Sequence, residues 1–367
     1  MRWLAIITSV VFTIIVLAYI LLFTSLGNGI IKPIIEDKIN SELNTSAVLE
    51  TFELDMSHFN VKISLTPSNQ IIATGTYSLL SQSVNATYAL NFEKMHELAT
   101  LLKRPSKGSF HVKGSVVGDT KQMQIKGESD IAASQTVYDI SLVDLNPAAI
   151  NASINNAQLE SFLKLGGEVP YANADVSLNV RLTDANPKHL DGSVTLDVVH
   201  GNVNSALMKN SFDLQLPKTK FGVKVVSKLK NDTVNYVAKV QSNLATLNSQ
   251  GALILAPLSM NLNYDVDIKE LALLRPITKA PLRGPFATQG QVKGDQAALK
   301  IVGSSNVAQS DTFYDITLAD FKPSKVVATI NDAKFSKLLY LAGEDAYAEA
   351  DINLDVKLTN LDPKDLR

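Results

Sequence analysis

From about residue 45 onward the chain alternates apolar and polar positions. Phe110, Val112 and Val116 alternate with His111, Lys113 and Ser115, and Val176, Leu178, Val180 and Leu182 alternate with Ser177, Asn179, Arg181 and Thr183. Val194, Leu196 and Val198 follow the same rule, as do Met260, Leu262, Tyr264, Val266 and Ile268 against Asn261, Asn263, Asp265 and Asp267. A period of two marks strands with one covered and one solvated face, so the pattern predicts a mainly β, antiparallel fold. Gly118-Asp119 and Gly294-Asp295 divide neighbouring runs into hairpins.

Helical spacing appears in short interruptions. Leu159, Phe162 and Leu163 share a face between an N-cap at Asn155 or Asn156 and Gly166-Gly167, and Phe335, Leu338 and Leu339 repeat this before Gly343. Met95, Leu98, Leu101 and Leu102 form a second group, loosely matched by Leu271, Leu273 and Leu274. Both groups read as lids or edge covers.

The N-terminus is different. The 24 residues from Trp3 to Leu26 carry no charge and are long enough to cross a bilayer core of about 30 Å. The stretch exceeds the apolar segment of a cleaved leader, and it predicts a transmembrane anchor over 1–27. Arg2 and the α-amino group on one side are balanced by Lys32 and Lys38 on the other, so orientation rests on the two-residue head, which predicts a cytoplasmic N-terminus and an exported body. Next comes an amphipathic helix over 28–44. Pro33 sits in its first turn, and Ile34, Ile35, Ile39 and Leu43 lie opposite Glu36, Asp37, Asn40 and Glu42. Its acidic polar face suits a cap on a β structure better than a membrane surface.

A long internal repeat organises the remainder. Pro105 to Asp191 set against Pro281 to Arg367, at a shift of 176, gives about 38 identities over 87 ungapped positions. Gly114-x-Val116-x-Gly118-Asp119 faces Gly290-x-Val292-x-Gly294-Asp295, and Tyr138-Asp139-Ile140 faces Tyr314-Asp315-Ile316. The same shift pairs Gly75 with Gly251, Asn85 with Asn261 and Tyr88 with Tyr264. This predicts a first β unit over 45–200 and a second, incomplete one over 201–367. The second lacks a counterpart of the strand at Gly192 to His200, so the repeat predicts that the array continues or leaves an unpaired edge.

Composition narrows the function classes. Lys plus Arg is 34 and Asp plus Glu 36, a net charge of −2 that offers nucleic-acid phosphates no bulk attraction. With no Cys there are no disulfides, thiolate metal sites or Cys nucleophile. A 46% hydrophobic and 19% charged composition argues against disorder.

Candidate chemistry is sparse. His58, His96, His111, His189 and His200 show no metal-ligand spacing, and at the repeat shift three of them become Ala272, Ala287 and Asp365. Asp119, Asp139, Asp144, Glu168 and Asp175 recur in both copies; carboxylate pairs can do acid–base work, but their places beside Gly118 or Asn146-Pro147 suit turns and edges. There is no GxSxG, P-loop or strand-coupled GxGxxG, and the Asn-x-Ser/Thr tripeptides at Asn44, Asn85, Asn151 and Asn231 are chance-level in an Asn-rich chain. No catalytic residue, metal or cofactor is expected.

The apolar face of the strands needs something apolar opposite it: a second sheet, a helix or a lipid chain. Its candidate lining is Phe110, Val112, Val116, Ile140, Leu142, Leu178, Val180, Val194, Leu196, Tyr264, Val266, Ile316 and Leu318. The N-terminal anchor, the Ile30-Ile-Lys-Pro-Ile-Ile-Glu36 helix, the Leu49-Glu-Thr-Phe-Glu-Leu54 strand entry and the repeated Tyr-Asp-Ile and Ala-x-Ile-Asn-x-Ala segments resemble the AsmA-like family of envelope proteins, with its TamB- and YhdP-type members in Gram-negative bacteria. The resemblance covers nearly the whole chain. It implies an extended, twisted antiparallel β groove built from long repeats, anchored by one pass in the inner membrane with its body in the periplasm. It further implies phospholipid acyl chains as ligand, an outer-membrane partner, and a role in phospholipid transport toward the outer membrane or in outer-membrane assembly. The alternative is a structural or adhesive periplasmic β-repeat scaffold with a closed core and no lipid transport.

Overall fold

A computed structural model describes residues 28–43, 45–55 and 57–359, so the expected anchor over 1–27 lies outside the described residues. Among them no helix is long and apolar enough to cross a membrane. The first element is a helix, α1, over Asn28–Leu43. Pro33 lies inside the helix and not in its first turn, as its position six residues into the expected span 28–44 already requires. Ile35 and Ile39, one turn apart, are buried, whereas Ile34 is 56% exposed. Consecutive helical residues point about 100° apart, so only one of the Ile34-Ile35 pair can face the sheet.

Nineteen strands follow among the described residues. The chain divides into two compact units, 1–152 with 161–168, and 153–160 with 169–367. Unit 1 holds β1 (Val48–Leu54), β2 (His58–Thr66), β3 (Asn69–Ser78), β4 (Ser83–Phe92), β5 (Phe110–Asp119), β6 (Gln122–Ser129) and β7 (Gln135–Val143). Each pairs antiparallel with the next. The strand β8 (Asn146–Gln158) runs across the division. Unit 2 holds β9 (Ala172–Asp184), β10 (Leu190–Val203), β11 (Lys220–Asn231), β12 (Thr233–Ser242), β13 (Ala245–Leu255), β14 (Leu258–Ile268), β15 (Phe286–Asp295), β16 (Leu299–Ser305), β17 (Asp311–Ala319), β18 (Lys322–Lys334) and β19 (Asp351–Leu358). These too form an antiparallel meander in chain order.

The repeat is visible in the ladders. Ser83 faces Asp119 as Ser259 faces Asp295, Gly114 faces Gly127 as Gly290 faces Gly303, and Met123 faces Leu142 as Leu299 faces Leu318. A slip of one residue would turn every apolar side chain to the other face, so shared apolar alternation enforces shared register. The turns repeat as well. Asp119 Oδ1 accepts the N–H groups of Lys121 and Gln122, both at 2.8 Å, and Asp295 Oδ1 accepts those of Ala297 and Ala298, both at 2.9 Å. Asp320 and Phe321 both have positive φ, near 49° and 59°, and join Ala319 to its partner Lys322 in a two-residue hairpin.

One sequence expectation fails at the helix Leu159–Leu165. Asn155 and Asn156 belong to β8, which runs to Gln158, and Asn156 adopts a left-handed φ of 55°. Its N–H bonds Ser177 Oγ at 3.3 Å, so the residue kinks a strand where a cap was expected. The Gly343 stop holds: its N–H reaches the carbonyls of Leu339 and Tyr340 at the end of the helix Phe335–Ala342.

Candidate functional site

The apolar face has a different environment in each unit. In unit 1, Phe110, Val112, Val116 and Leu142 are buried, together with Leu49, Ile63, Ile71, Leu90 and Phe92; Ile140 is half-buried. The rings of Phe92 and Phe110 lie 5.1 Å apart. Met95 and Leu98, in the helical turn Met95–Leu98, are buried too. In unit 2, Leu178, Val180, Val194, Leu196, Tyr264, Val266, Ile316 and Leu318 are all half-buried, so Ile316 matches its counterpart Ile140 while Leu318 is less covered than its counterpart Leu142. Register brings Val180 opposite Val194 and Leu178 opposite Leu196, so these four form one apolar block on β9 and β10. Tyr264 and Val266 share β14, and Ile316 and Leu318 share β17. All the ladders of unit 2 belong to one sheet, and there is no second sheet among the described residues.

Each unit carries a cross-strand rung that the sequence pattern did not reveal. Tyr88, Gly114, Gly127 and Tyr138 stand opposite one another across β4 to β7, and Tyr264, Gly290, Gly303 and Tyr314 do so across β14 to β17. Four strands span about 14 Å, and two phenol side chains reaching inward from the outer pair meet in the middle. The hydroxyls of Tyr88 and Tyr138 lie 2.5 Å apart, as do those of Tyr264 and Tyr314. A Cβ on Gly114 would sit 2.6 Å from the Tyr88 hydroxyl, and one on Gly290 2.7 Å from that of Tyr264. The glycines therefore make room for the rings. Burial first, and then the partner hydroxyl, pushes the Tyr88 phenol far above its ordinary range; burial likewise raises Tyr138 and Tyr264. Neutral phenols are thus part of the apolar face at any physiological pH. The sequence did hold the signal, a spacing of 50 between tyrosines repeated at the shift of 176.

The polar face and the rims hold the remaining candidates. His111 Nε2 lies 2.9 Å from Glu93 and Nδ1 2.8 Å from Asp130, and these partners, Glu93 foremost, hold its pKa above the usual value. His189 pairs with Asp184 at 2.6 Å, His200 with Asp175 at 2.8 Å and His58 with Asp55 at 3.3 Å. Asp139 pairs with Lys126, directly opposite it, at 3.5 Å, and Asp315 pairs with Lys300, diagonal to it across the ladder, at 3.0 Å. Among the described residues no group of three or more His, Asp or Glu is arranged to hold a metal. The apolar face of unit 2 is accordingly the candidate site.

No family model matches the chain, and no curated protein and no solved structure matches it either.

Proposed function

We propose that the protein is an AsmA-like envelope protein: residues 1–27 hold it in the inner membrane, and its β body lies in the periplasm as a groove. The unit 2 face receives phospholipid acyl chains, in transport toward the outer membrane or in outer-membrane assembly with a partner there. One observation carries the reading. The alternating apolar face of unit 2 is only partly covered at Leu178, Val180, Val194, Leu196, Tyr264, Val266, Ile316 and Leu318, although Val198 at the end of its β10 row is buried. An acyl chain that withdraws eight methylenes from water onto such a face gains about 6 kcal/mol, and transfer along it requires no catalytic step, cofactor or metal.

A photoreactive side chain at Val180 or Val194 is expected to crosslink to phospholipid in cells, and one at Arg181 or Thr195, on the opposite face, is not. Val180→Asp sets a charge on the path and is expected to reduce lipid adducts while the body stays folded, since a partly exposed position can hydrate the carboxylate. Unfolding on Val180→Asp, with no lipid adduct at Val180 or Val194, would instead establish the scaffold with a closed core. That second reading is favoured by the burial of Phe110, Val116 and Leu142 in unit 1.

A further inference from the structure

The polar face of unit 2 carries an unbalanced charge over β11 and β12. These two strands hold five lysines, Lys220, Lys224, Lys228, Lys230 and Lys239, and no carboxylate. All five are exposed. Register places them on one face, turned away from Val194 and Leu196, and sets Lys224 directly opposite Lys239. Like charges so placed repel. Asp197 and Asp191 of β10 stand opposite Lys224 and Lys230, yet none of the five lysines has an ion pair among the described residues. Elsewhere strand lysines are neutralised across the ladder, Lys62 by Glu50 at 2.7 Å, Lys113 by Glu128 at 2.6 Å and Lys300 by Asp315 at 3.0 Å. The first copy's equivalents of β11 and β12 are β1 and β2, and β1 has Glu50 and Glu53. The excess charge is therefore not a property of the repeat.

The same face is apolar at its centre. Val226 is 40% and Val237 56% exposed, and they oppose each other between the Lys224–Lys239 rung and Lys228. Lysine stems can lie over such a pair while the ammonium groups stay at the surface. Lysines kept for solubility alone would be interspersed with carboxylates.

The occupant of this face follows from what the face lacks. Strand β11 is hydrogen-bonded to β10 and β12, and β12 to β11 and β13, so neither offers a backbone edge to an extended peptide. Neither strand has an arginine, whose fork grips the carboxylates of an acidic peptide; ammonium groups act as point charges and suit mobile phosphates. We propose that the outer face of β11 and β12 docks on an anionic phospholipid bilayer, its lysines among the phosphates and Val226 and Val237 at the boundary with the acyl chains. The inference goes beyond the acyl-chain reading, which concerns the opposite face, and stands whatever that face holds.

The chain has no cysteine, so Val237→Cys takes a single polarity-sensitive fluorophore. Phe313→Cys is the control. Phe313 is 57% exposed on the same face but five strands away in β17, where accumulated twist turns the face by roughly 100°. Full-length protein is reconstituted into phosphatidylcholine vesicles containing nitroxide-labelled lipid, with or without about one-third phosphatidylglycerol. In the anionic vesicles quenching at Val237 is expected to be roughly threefold that at Phe313, and high salt removes the difference. In vesicles of phosphatidylcholine alone the two positions are equal. Lys224→Gln with Lys239→Gln lowers the ratio of docked to undocked protein by about fivefold per lysine, and circular dichroism shows that every variant keeps its strands. Equal quenching at the two positions in anionic vesicles overturns the proposal, as does quenching at Val237 that is the same with and without phosphatidylglycerol. Shielding of the Val237 fluorophore by polyglutamate in detergent solution, without quenching in anionic vesicles, would assign the face to an acidic polypeptide. Shielding that grows with protein concentration alone would assign it to a second copy, and either result overturns the proposal.

Discussion

Tyr138 and Gly127 meet across one strand pair, yet they are expected to respond unequally to substitution. Tyr138→Phe keeps the ring over Gly127 and removes one hydroxyl, and the Tyr88 hydroxyl retains the Lys126 carbonyl at 3.4 Å. The loss should be about 1 kcal/mol. Gly127→Ala places a methyl group against the Tyr138 hydroxyl and 2.8 Å from the Lys113 carbonyl, so backbone must yield and the cost should rise to about 3 kcal/mol. Urea unfolding followed by circular dichroism orders the two, and an equal or smaller effect for Gly127→Ala would mean that the rung is not packed as described. His111 tests charge in the same way. Its raised pKa means that its stabilisation is complete below about pH 6.5 and is lost as pH rises through the folded-state value. Burial works against the Asp130 carboxylate, but the bonds from His111 hold its pKa low, so that contribution fades only in acid. Both side chains are about half exposed, which limits the pair to a few tenths of a kcal/mol. His111→Ala should therefore reduce the difference in urea midpoint between pH 6 and pH 8, and an unchanged difference would remove the ion pair from the pH response. Ala287 already occupies the equivalent place in the second copy, and its N–H bonds Asn306 Oδ1 at 3.0 Å as that of His111 bonds Asp130.

At the scale of elements, the strands were legible because period two is a direct consequence of a half-covered sheet, and their register followed from the repeat. The helices were less so. The expected stripe on α1 included Ile34, because the pattern shows which residues are apolar but not which arc of the helix meets β1. Asn40, Glu36 and Lys32 of α1 bond backbone groups of Ala47, Leu49 and Glu50 at the β1 edge, and hydrophobic periodicity contains no record of such contacts. They have a measurable consequence. Asn40→Ala removes both bonds to Ala47, so the Ala47 amide should exchange with solvent faster while those of β4 and β5 stay protected. Uniform acceleration across unit 1 would show that α1 contributes to global stability and does not merely close an edge.

At the scale of the molecule, the two copies share sequence and register but not environment, and alternation alone could not have revealed this. An alternating strand states only that one face avoids water; whether protein or lipid covers it depends on what the rest of the chain places opposite. Val116 and Val292 are equivalent at the shift of 176, lie in the same register and face Ala86 and Leu262 on the preceding strands. Val116 is 2% exposed, whereas Val292 is only partly buried. A carboxylate at Val116 has no access to water and no partner, so Val116→Asp should destabilise unit 1 by about 3 kcal/mol or more. At Val292 the new charge can remain hydrated, and Val292→Asp should cost about 1 kcal/mol. Circular dichroism of the two variants against urea gives the comparison directly. A large, equal loss in both would mean that the unit 2 face is covered in solution and would remove the basis for acyl binding there. The expected inequality would show one repeated sequence serving as core in one unit and as an accessible apolar surface in the other.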